Sequence, residues 1–215
     1  MSKPRKVQEL LRFDRQICSA YKLKHAPIAG IDEVGRGPLA GPLVACAVIL
    51  KKSFFSVPID DSKKLTPLAR ERAYRQILPR AHVGLGAVSP QEIDRLGIQE
   101  AWSVAMLRAF KRLPVQPALL LIDGPRSFTG CTVPVVPITR GDAQSLVIAC
   151  ASIVAKVTRD RWMNKLDLLF PEYGFLSHKG YGTAAHIKVL RQIGPSEFHR
   201  FSFRPVRFER AGSVE

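Results

Sequence analysis

The sequence predicts a single mixed α/β domain, a central β-sheet flanked by helices, with a helical segment at its C-terminal end. Short apolar runs bounded by glycine and proline recur at residues 27–32, 42–50, 82–88, 118–122 and 133–139, which is how strands read. Longer stretches with helical spacing and good cap residues lie between and after them. The chain has 215 residues, 46% of them hydrophobic, enough to bury one full core.

Taken in order, residues 7–23 should form an amphipathic helix with Leu10, Leu11, Ile17 and Tyr21 on one side. It belongs to an N-terminal extension, residues 1–25, with no chemistry of its own. The strands at 27–32 and 42–50 should be antiparallel neighbours, because the connection between them is short. Residues 51–60 form a basic, aromatic loop. Thr66 and Pro67 make an N-cap and a first helical residue, so a helix should run to Leu78 and leave Asp61-Ser-Lys-Lys64 on the loop before it. The lysine pair there either grips a phosphate or is simply solvated. His82–Val88 alternates like a strand, and Ser89-Pro90 opens a helix that breaks at Gly97 and resumes to Arg112. Ala118–Ile122 is wholly apolar, as a buried strand is, and ends in Asp123-Gly-Pro125. A carboxylate there is either a site residue at a strand end or a turn aspartate. A last strand at 133–139 leads through Arg140-Gly-Asp142 into a helix from about 143 to 170. The first half of that helix, Leu146–Ala155, is small and apolar nearly all round and should lie against the sheet. Residues 26–170 make the main body. Residues 171–215 are the C-terminal segment: a Gly-rich loop with His178, Lys179 and Tyr181, a helix at 184–193, and an Arg- and Phe-rich tail.

Lys and Arg number 33 against 18 Asp and Glu, which leaves +15 spread along the whole chain. A folded surface with that field predicts a polyanionic partner, nucleic acid above all. Cys18, Cys46, Cys131 and Cys150 show no C-x-x-C spacing, which argues against zinc. Cys46 and Cys150 sit in apolar runs and read as buried thiols. Reduced cysteines, no apolar signal core, and no run near the roughly 20 apolar residues of a membrane span together predict a cytoplasmic protein.

The chemistry centres on residues 28–42, Ile-Ala-Gly-Ile-Asp-Glu-Val-Gly-Arg-Gly-Pro-Leu-Ala-Gly-Pro. Asp32 and Glu33 stand where a buried strand emerges, a costly place for two carboxylates unless a divalent cation neutralises them. Asp123 and Asp142 also fall at element ends, and a mixed sheet can gather such ends. Four oxygen-bearing side chains of this kind suit one or two Mg²⁺ or Mn²⁺ ions and the metal-assisted attack of water on a phosphodiester. On an ideal strand Asp32 and Glu33 would face opposite sides, so the backbone must twist, or one must bind through water. Asp160 competes with Asp142, yet it lies 18 residues further on, about 27 Å along a continuous helix. It can pair with Lys156 one turn away, and Asp142 is therefore preferred.

These segments resemble the ribonuclease HII family of bacteria. The likeness rests on Gly30-Ile-Asp-Glu-Val-Gly-Arg-Gly-Pro-Leu-Ala-Gly41, Asp61-Ser-Lys-Lys-Leu65, Leu121-Ile-Asp-Gly124, Gly141-Asp142, Ala151-Ser-Ile-Val-Ala-Lys-Val-Thr-Arg-Asp160 and His178-Lys-Gly-Tyr-Gly-Thr183. It runs in order from about residue 28 to about 206. It implies a ribonuclease H-like fold and cleavage of the RNA strand in RNA–DNA hybrids. It also implies incision 5′ to single ribonucleotides in duplex DNA, leaving 3′-OH and 5′-phosphate ends. By the same resemblance Asp32, Glu33, Asp123 and Asp142 are catalytic and metal-binding. Gly35, Arg36 and Gly37 read the ribose 2′-hydroxyl through backbone groups, the group that separates RNA from DNA. Tyr181 packs on the sugar after the ribonucleotide, and Lys63 and Lys64 contact backbone phosphate. Pro125 and Cys150 stand where the family more often has Asn and Ala. A monomer is expected. Two other readings are another metal-dependent nuclease or strand-transfer enzyme of the same fold, and a basic nucleic-acid-binding protein without catalysis. The first would not need the Gly-Arg-Gly segment; the second would not need four acidic residues at element ends.

Overall fold

A computed structural model describes residues 5–23, 26–204 and 206–207. Five strands form one sheet in the order β3-β2-β1-β4-β5. β1 (Ile28–Val34), β2 (Leu43–Leu50) and β3 (Ala81–Val88) are antiparallel neighbours, as the short β1–β2 connection requires. β4 (Leu119–Asp123) runs parallel to β1, and β5 (Val135–Ile138) parallel to β4. The sheet is therefore mixed, and β1 is the strand where its two halves meet.

Both faces are covered, which explains why β2 is apolar without alternation. Ala45, Ala47 and Ile49 face α4 (Ile98–Lys111); Cys46 and Val48 face α5 (Leu146–Leu169). Every residue from Leu146 to Ala155 is buried, as the small, apolar sequence predicts. α5 comes so close to β1 that a Cβ on Gly30 would collide with the backbone of Val147 and Ile148. Glycine is needed there for the approach itself.

Local signals placed the other elements well. Thr66 caps α2 (Pro67–Ile77) by accepting the Ala69 N–H. Ser89 and Glu92 form a reciprocal capping box on α3 (Pro90–Leu96), and Gly97, at φ 75°, separates it from α4. α6 (Phe175–His178) and α7 (Ala184–Ile193) pack through Phe175 and Leu190 against Leu39, Ala40 and Met163.

Two expectations need correction. Asp142 does not open α5. It sits in a separate 3-10 turn, Gly141–Ala143, and Ser145 is the residue that caps α5. The N-terminal helix α1 (Arg5–Ala20) is also more than an apolar addition. Its Val7 is fully buried while Tyr21, beyond its end, is exposed. Asp14 accepts the Val147 N–H at 3.2 Å, and Lys6 Nζ donates to the Ala143 carbonyl at 3.0 Å. α1 therefore braces the turn that carries Asp142 and the first residues of α5. Burial pushes the Asp14 carboxyl up to about 7, against the hydrogen bonds it receives from this helix start. Cys46 and Cys150 are buried free thiols as expected, and Cys18 and Cys131 are free and half-buried. Among the described residues no helix is long and apolar enough to cross a membrane.

Candidate active site

Parallel pairing of β1 with β4 sets Ile31 against Ile122, so one step further along Asp32 lies beside Asp123. Asp123 then fixes the third segment. Its Oδ1 accepts the Gly141 N–H at 2.6 Å and the Asp142 N–H at 3.4 Å. Arg140, in the left-handed region at φ 54°, turns the chain after β5 so that those two N–H groups can face the carboxylate. Asp32, Glu33, Asp123 and Asp142 thus gather at the C-terminal ends of β1 and β4, the edge where open α/β sheets place their sites.

Asp32 and Glu33 do leave β1 on opposite sides. Asp32 is buried toward α5, held by the Ser152 hydroxyl and by the Glu33 N–H at 2.7 Å. Glu33 lies toward α4, between the Trp102 indole and Arg36, whose Nη1 is 3.6 Å from its Oε1. Both nevertheless interact with Asp123. Burial, then repulsion from Glu33 and Asp123, drives the Asp32 carboxyl well above the carboxylate range. Burial is the main reason that Glu33 is also raised, with Trp102 and Arg36 opposing it. Asp142 is pushed up to about 6 by burial, by Asp123 and by Asp61.

Asp61 and Ser62 had no assigned role in the sequence, yet both belong here. Ser62 Oγ is 2.9 Å from Ser152 Oγ, which links the 61–66 loop to Asp32 through two hydroxyls. Asp61 lies against the Asp142 carboxyl. On the same loop Lys63 faces the cluster. Partial burial works against its charge, but Asp142, Asp32, Asp61 and Asp123 outweigh that and raise its pKa. Lys64 is exposed. Asp160 is outside the cluster and less exposed than a surface pair would be: it binds Lys156 at 2.8 Å and Arg70 at 3.4 Å. Arg70 in turn holds the Ser62 and Leu65 carbonyls, so Asp160 supports the loop.

The glycine turn after β1 is built on two arginines with no exposed surface. Arg200 donates to the carbonyls of Gly35 (2.6 Å), Arg36 (3.0 Å) and Gly41 (2.9 and 3.1 Å). Arg159 donates to those of Pro42 (2.9 Å), Ala40 (3.1 Å) and Lys179 (3.0 Å). Gly35, at φ 95°, could not carry a Cβ, which would strike the Arg159 side chain. All peptides here are trans. With the Gly35 and Arg36 carbonyls drawn inward, the N–H groups of Arg36 and Gly37 on those same peptides point the other way, toward the exposed Gly37. Tyr181 is 42% exposed, its ring 5.8 Å from the Arg159 guanidinium carbon. The Leu39 N–H donates to the Gly180 carbonyl at 2.7 Å, which ties the tyrosine loop to the glycine turn.

Among the described residues no three Asp, Glu, His or Cys side chains are already closed to metal-ligand spacing. The carboxylates form an open cluster, which fits an ion that keeps several of its waters and takes only one or two carboxylates directly. The raised pKa values of Asp32, Glu33 and Asp142 reflect the charge that such an ion would neutralise. Millimolar Mg²⁺ or Mn²⁺ should therefore raise the melting temperature, and Asp123→Asn should raise it without metal. The amide keeps an oxygen for the Gly141 N–H and removes one of the repelling charges. A gain of 1 kcal/mol would be a shift of about 2–4 °C in a chain of this size. Because raised carboxyls lose stability as pH climbs through about 6, the metal effect should grow from about pH 5 to about pH 8. An unchanged or lower metal-free melting temperature in Asp123→Asn would refute the repulsion argument.

Comparison with known proteins agrees with this geometry. Residues 29–206 match the family described as ribonuclease HII. A ribonuclease HII of Geobacillus thermodenitrificans is 48% identical over 201 residues, covering 93% of this chain and 76% of that one. One from Chlamydia trachomatis serovar A is 49% identical over 206 residues, covering 94% of each. The crystal structure of ribonuclease H2 from Pyrococcus horikoshii OT3 superimposes with a TM-score of 0.74 at 25% identity, covering 88% of this chain and all of that one. The chain belongs to the ribonuclease HII family.

Proposed function

We propose that this chain is an endonuclease that hydrolyses the RNA strand of RNA–DNA hybrids, incises 5′ to single ribonucleotides in duplex DNA, and leaves 3′-OH and 5′-phosphate ends. The observation that carries the reading is the meeting of four carboxylates with a turn whose backbone donors face outward. Asp32, Glu33, Asp123 and Asp142 would hold one or two Mg²⁺ or Mn²⁺ ions. When bound, the ions supply charge neutralisation at the scissile phosphate and the leaving oxygen. The rest is done by this chain. The N–H groups of Arg36 and Gly37 offer donors to a ribose 2′-hydroxyl, and deoxyribose has none to receive them. Lys63 balances the carboxylates until substrate arrives, and with Lys64 it can then meet backbone phosphate. The +15 charge holds the polyanion by a contact that does not read sequence. Tyr181, tied to the glycine turn and exposed, would pack on the sugar that follows the ribonucleotide.

The direct test is incision of end-labelled duplex DNA containing one ribonucleotide, with Mg²⁺ or Mn²⁺, beside an all-DNA control. A single cut 5′ to the ribonucleotide, absent with chelator, is expected. Cutting of the all-DNA duplex would favour a less selective nuclease of this fold, and binding with no cut in either metal would remove catalysis altogether. Tyr181→Ala should lower incision at single ribonucleotides about tenfold more than cleavage of long hybrids, the value of about one lost stacking contact. Equal losses on the two substrates would count against a junction-reading tyrosine.

A further inference from the structure

We infer that His199 and His186 form a hydrogen-bonded relay that positions Tyr181, and so helps to set how well single ribonucleotides are incised relative to long hybrids. The inference rests on the proposed role of Tyr181. Both imidazoles are completely buried in the C-terminal segment, on or beside α7, and neither touches the carboxylate cluster.

Their tautomers follow from their partners. The Ser196 N–H lies 3.0 Å from His199 Nδ1; a backbone N–H can only donate, so Nδ1 is bare and the proton is on Nε2. Ser196 Oγ, 2.9 Å from the same nitrogen, is a second donor to it. At the other end His186 Nδ1 is 3.0 Å from the Tyr181 carbonyl, which can only accept, so that nitrogen carries the proton and Nε2 is bare. The two Nε2 atoms are 3.0 Å apart, and the one bond left for them is His199 Nε2–H donating to His186 Nε2. Each proton has one place, and both rings are neutral. Burial agrees, holding both pKa values down to about 4.

A third ring completes the grip. His178 stacks on His186 with centroids 4.3 Å apart, and its Nδ1 accepts the Gly180 N–H at 3.1 Å. Its Nε2 donates to the Tyr173 carbonyl at 2.8 Å. His186 thus holds the peptide that follows the Tyr181 Cα, and the His178 ring holds the peptide one residue before it. The Tyr181 N–H donates to the His178 carbonyl at 2.9 Å, while the tyrosine side chain stays exposed for a ligand. A purely structural pair of buried polar groups would not need to end on this one carbonyl.

Two measurements on the full-length chain test the relay. Long-range ¹H–¹⁵N NMR at pH 7 should show His186 protonated on Nδ1 and His199 on Nε2, with neither doubly protonated. Any other pattern overturns the relay. In incision assays His199→Phe, which cannot donate, should reduce the ratio of single-ribonucleotide incision to long-hybrid cleavage about tenfold, chiefly through KM on the former. His199→Gln, whose amide N–H can replace Nε2–H, should restore the ratio. If Tyr181→Ala lowers the ratio and His199→Phe does not, the relay proposal alone falls. If Tyr181→Ala leaves the ratio unchanged, the Tyr181 reading falls and the relay proposal with it. Should His199→Phe fail to fold, His199→Gln still decides: a lost ratio, or loss of the Nδ1 proton on His186, overturns the relay.

Discussion

Asp32→Asn and Asp123→Asn should each lower hybrid cleavage by about 10³-fold or more, equivalent to roughly 4 kcal/mol of transition-state stabilisation. Hybrid affinity should change little. The two halves of this expectation come from different parts of the molecule. An amide keeps the shape of the carboxylate and an oxygen for its hydrogen bonds, but loses the charge that would hold a dication beside the phosphate. Binding is distributed over a basic surface, with +15 to attract a polyanion, and the substituted oxygens contribute none of that attraction. Asp160→Asn is the internal contrast: Asp160 pairs with Lys156 and Arg70 away from the cluster, so most turnover should survive. Steady-state rates with filter-binding titrations on the same preparations check all three. Retained turnover in Asp32→Asn or Asp123→Asn would defeat the metal-site assignment.

Much of this arrangement is legible in the amino-acid order because the signals are local. The β1–β2 pair shows as two apolar runs around Gly35-Arg-Gly37, α2 as Thr66-Pro67, and the α3–α4 break as Gly97. The carboxylates could be picked out because each stands where such a run ends. Register decides more than the pattern can. Asp32 and Asp123 are neighbours because Ile31 pairs with Ile122 across 91 positions of chain, and nothing near either residue records that pairing. The same is true of the supporting groups. Ser62 and Ser152 meet 90 residues apart, and Asp14 reaches Val147 from 133 residues away. Arg159 and Arg200 look like two more charges in a basic chain. The contacts that set them apart, all but one of them to backbone carbonyls more than 110 residues distant, exist only in the folded state. A buried polar residue is explained by its partners, and a one-dimensional pattern shows partners only within a turn or two.

Arg200→Met should destabilise the protein by about 3 kcal/mol or more and remove the discrimination between ribonucleotide and deoxyribonucleotide sites that the proposed function assigns to the glycine turn. Arg200 has no exposed surface and, among the described residues, no carboxylate bonded to it; its guanidinium is shared among the carbonyls of Gly35, Arg36 and Gly41. Burial, with Arg159 close by, lowers its pKa to about 9, so it is still charged at neutral pH. Methionine fills similar space but leaves three buried acceptors without donors, at about 1–3 kcal/mol each before the turn relaxes. Relaxation is the functional point. If the Gly35 and Arg36 carbonyls turn outward to find water, the N–H groups of Arg36 and Gly37 turn inward and the donors proposed for the 2′-hydroxyl are lost. Lysine should rescue poorly, because one ammonium cannot reproduce a planar fork that spans two strands of the turn. Urea unfolding measures the first effect, with Arg161→Met as the comparison. Arg161 is half-exposed and paired with Glu71, and its loss should cost less than about 1 kcal/mol. The second effect is measured by the ratio of incision at a ribonucleotide to cutting of all-DNA duplex in Arg200→Met. A folded Arg200→Met with an unchanged urea midpoint would show that the turn does not depend on Arg200; a destabilised one that still cuts only at ribonucleotides would show that the outward N–H groups are held by something else.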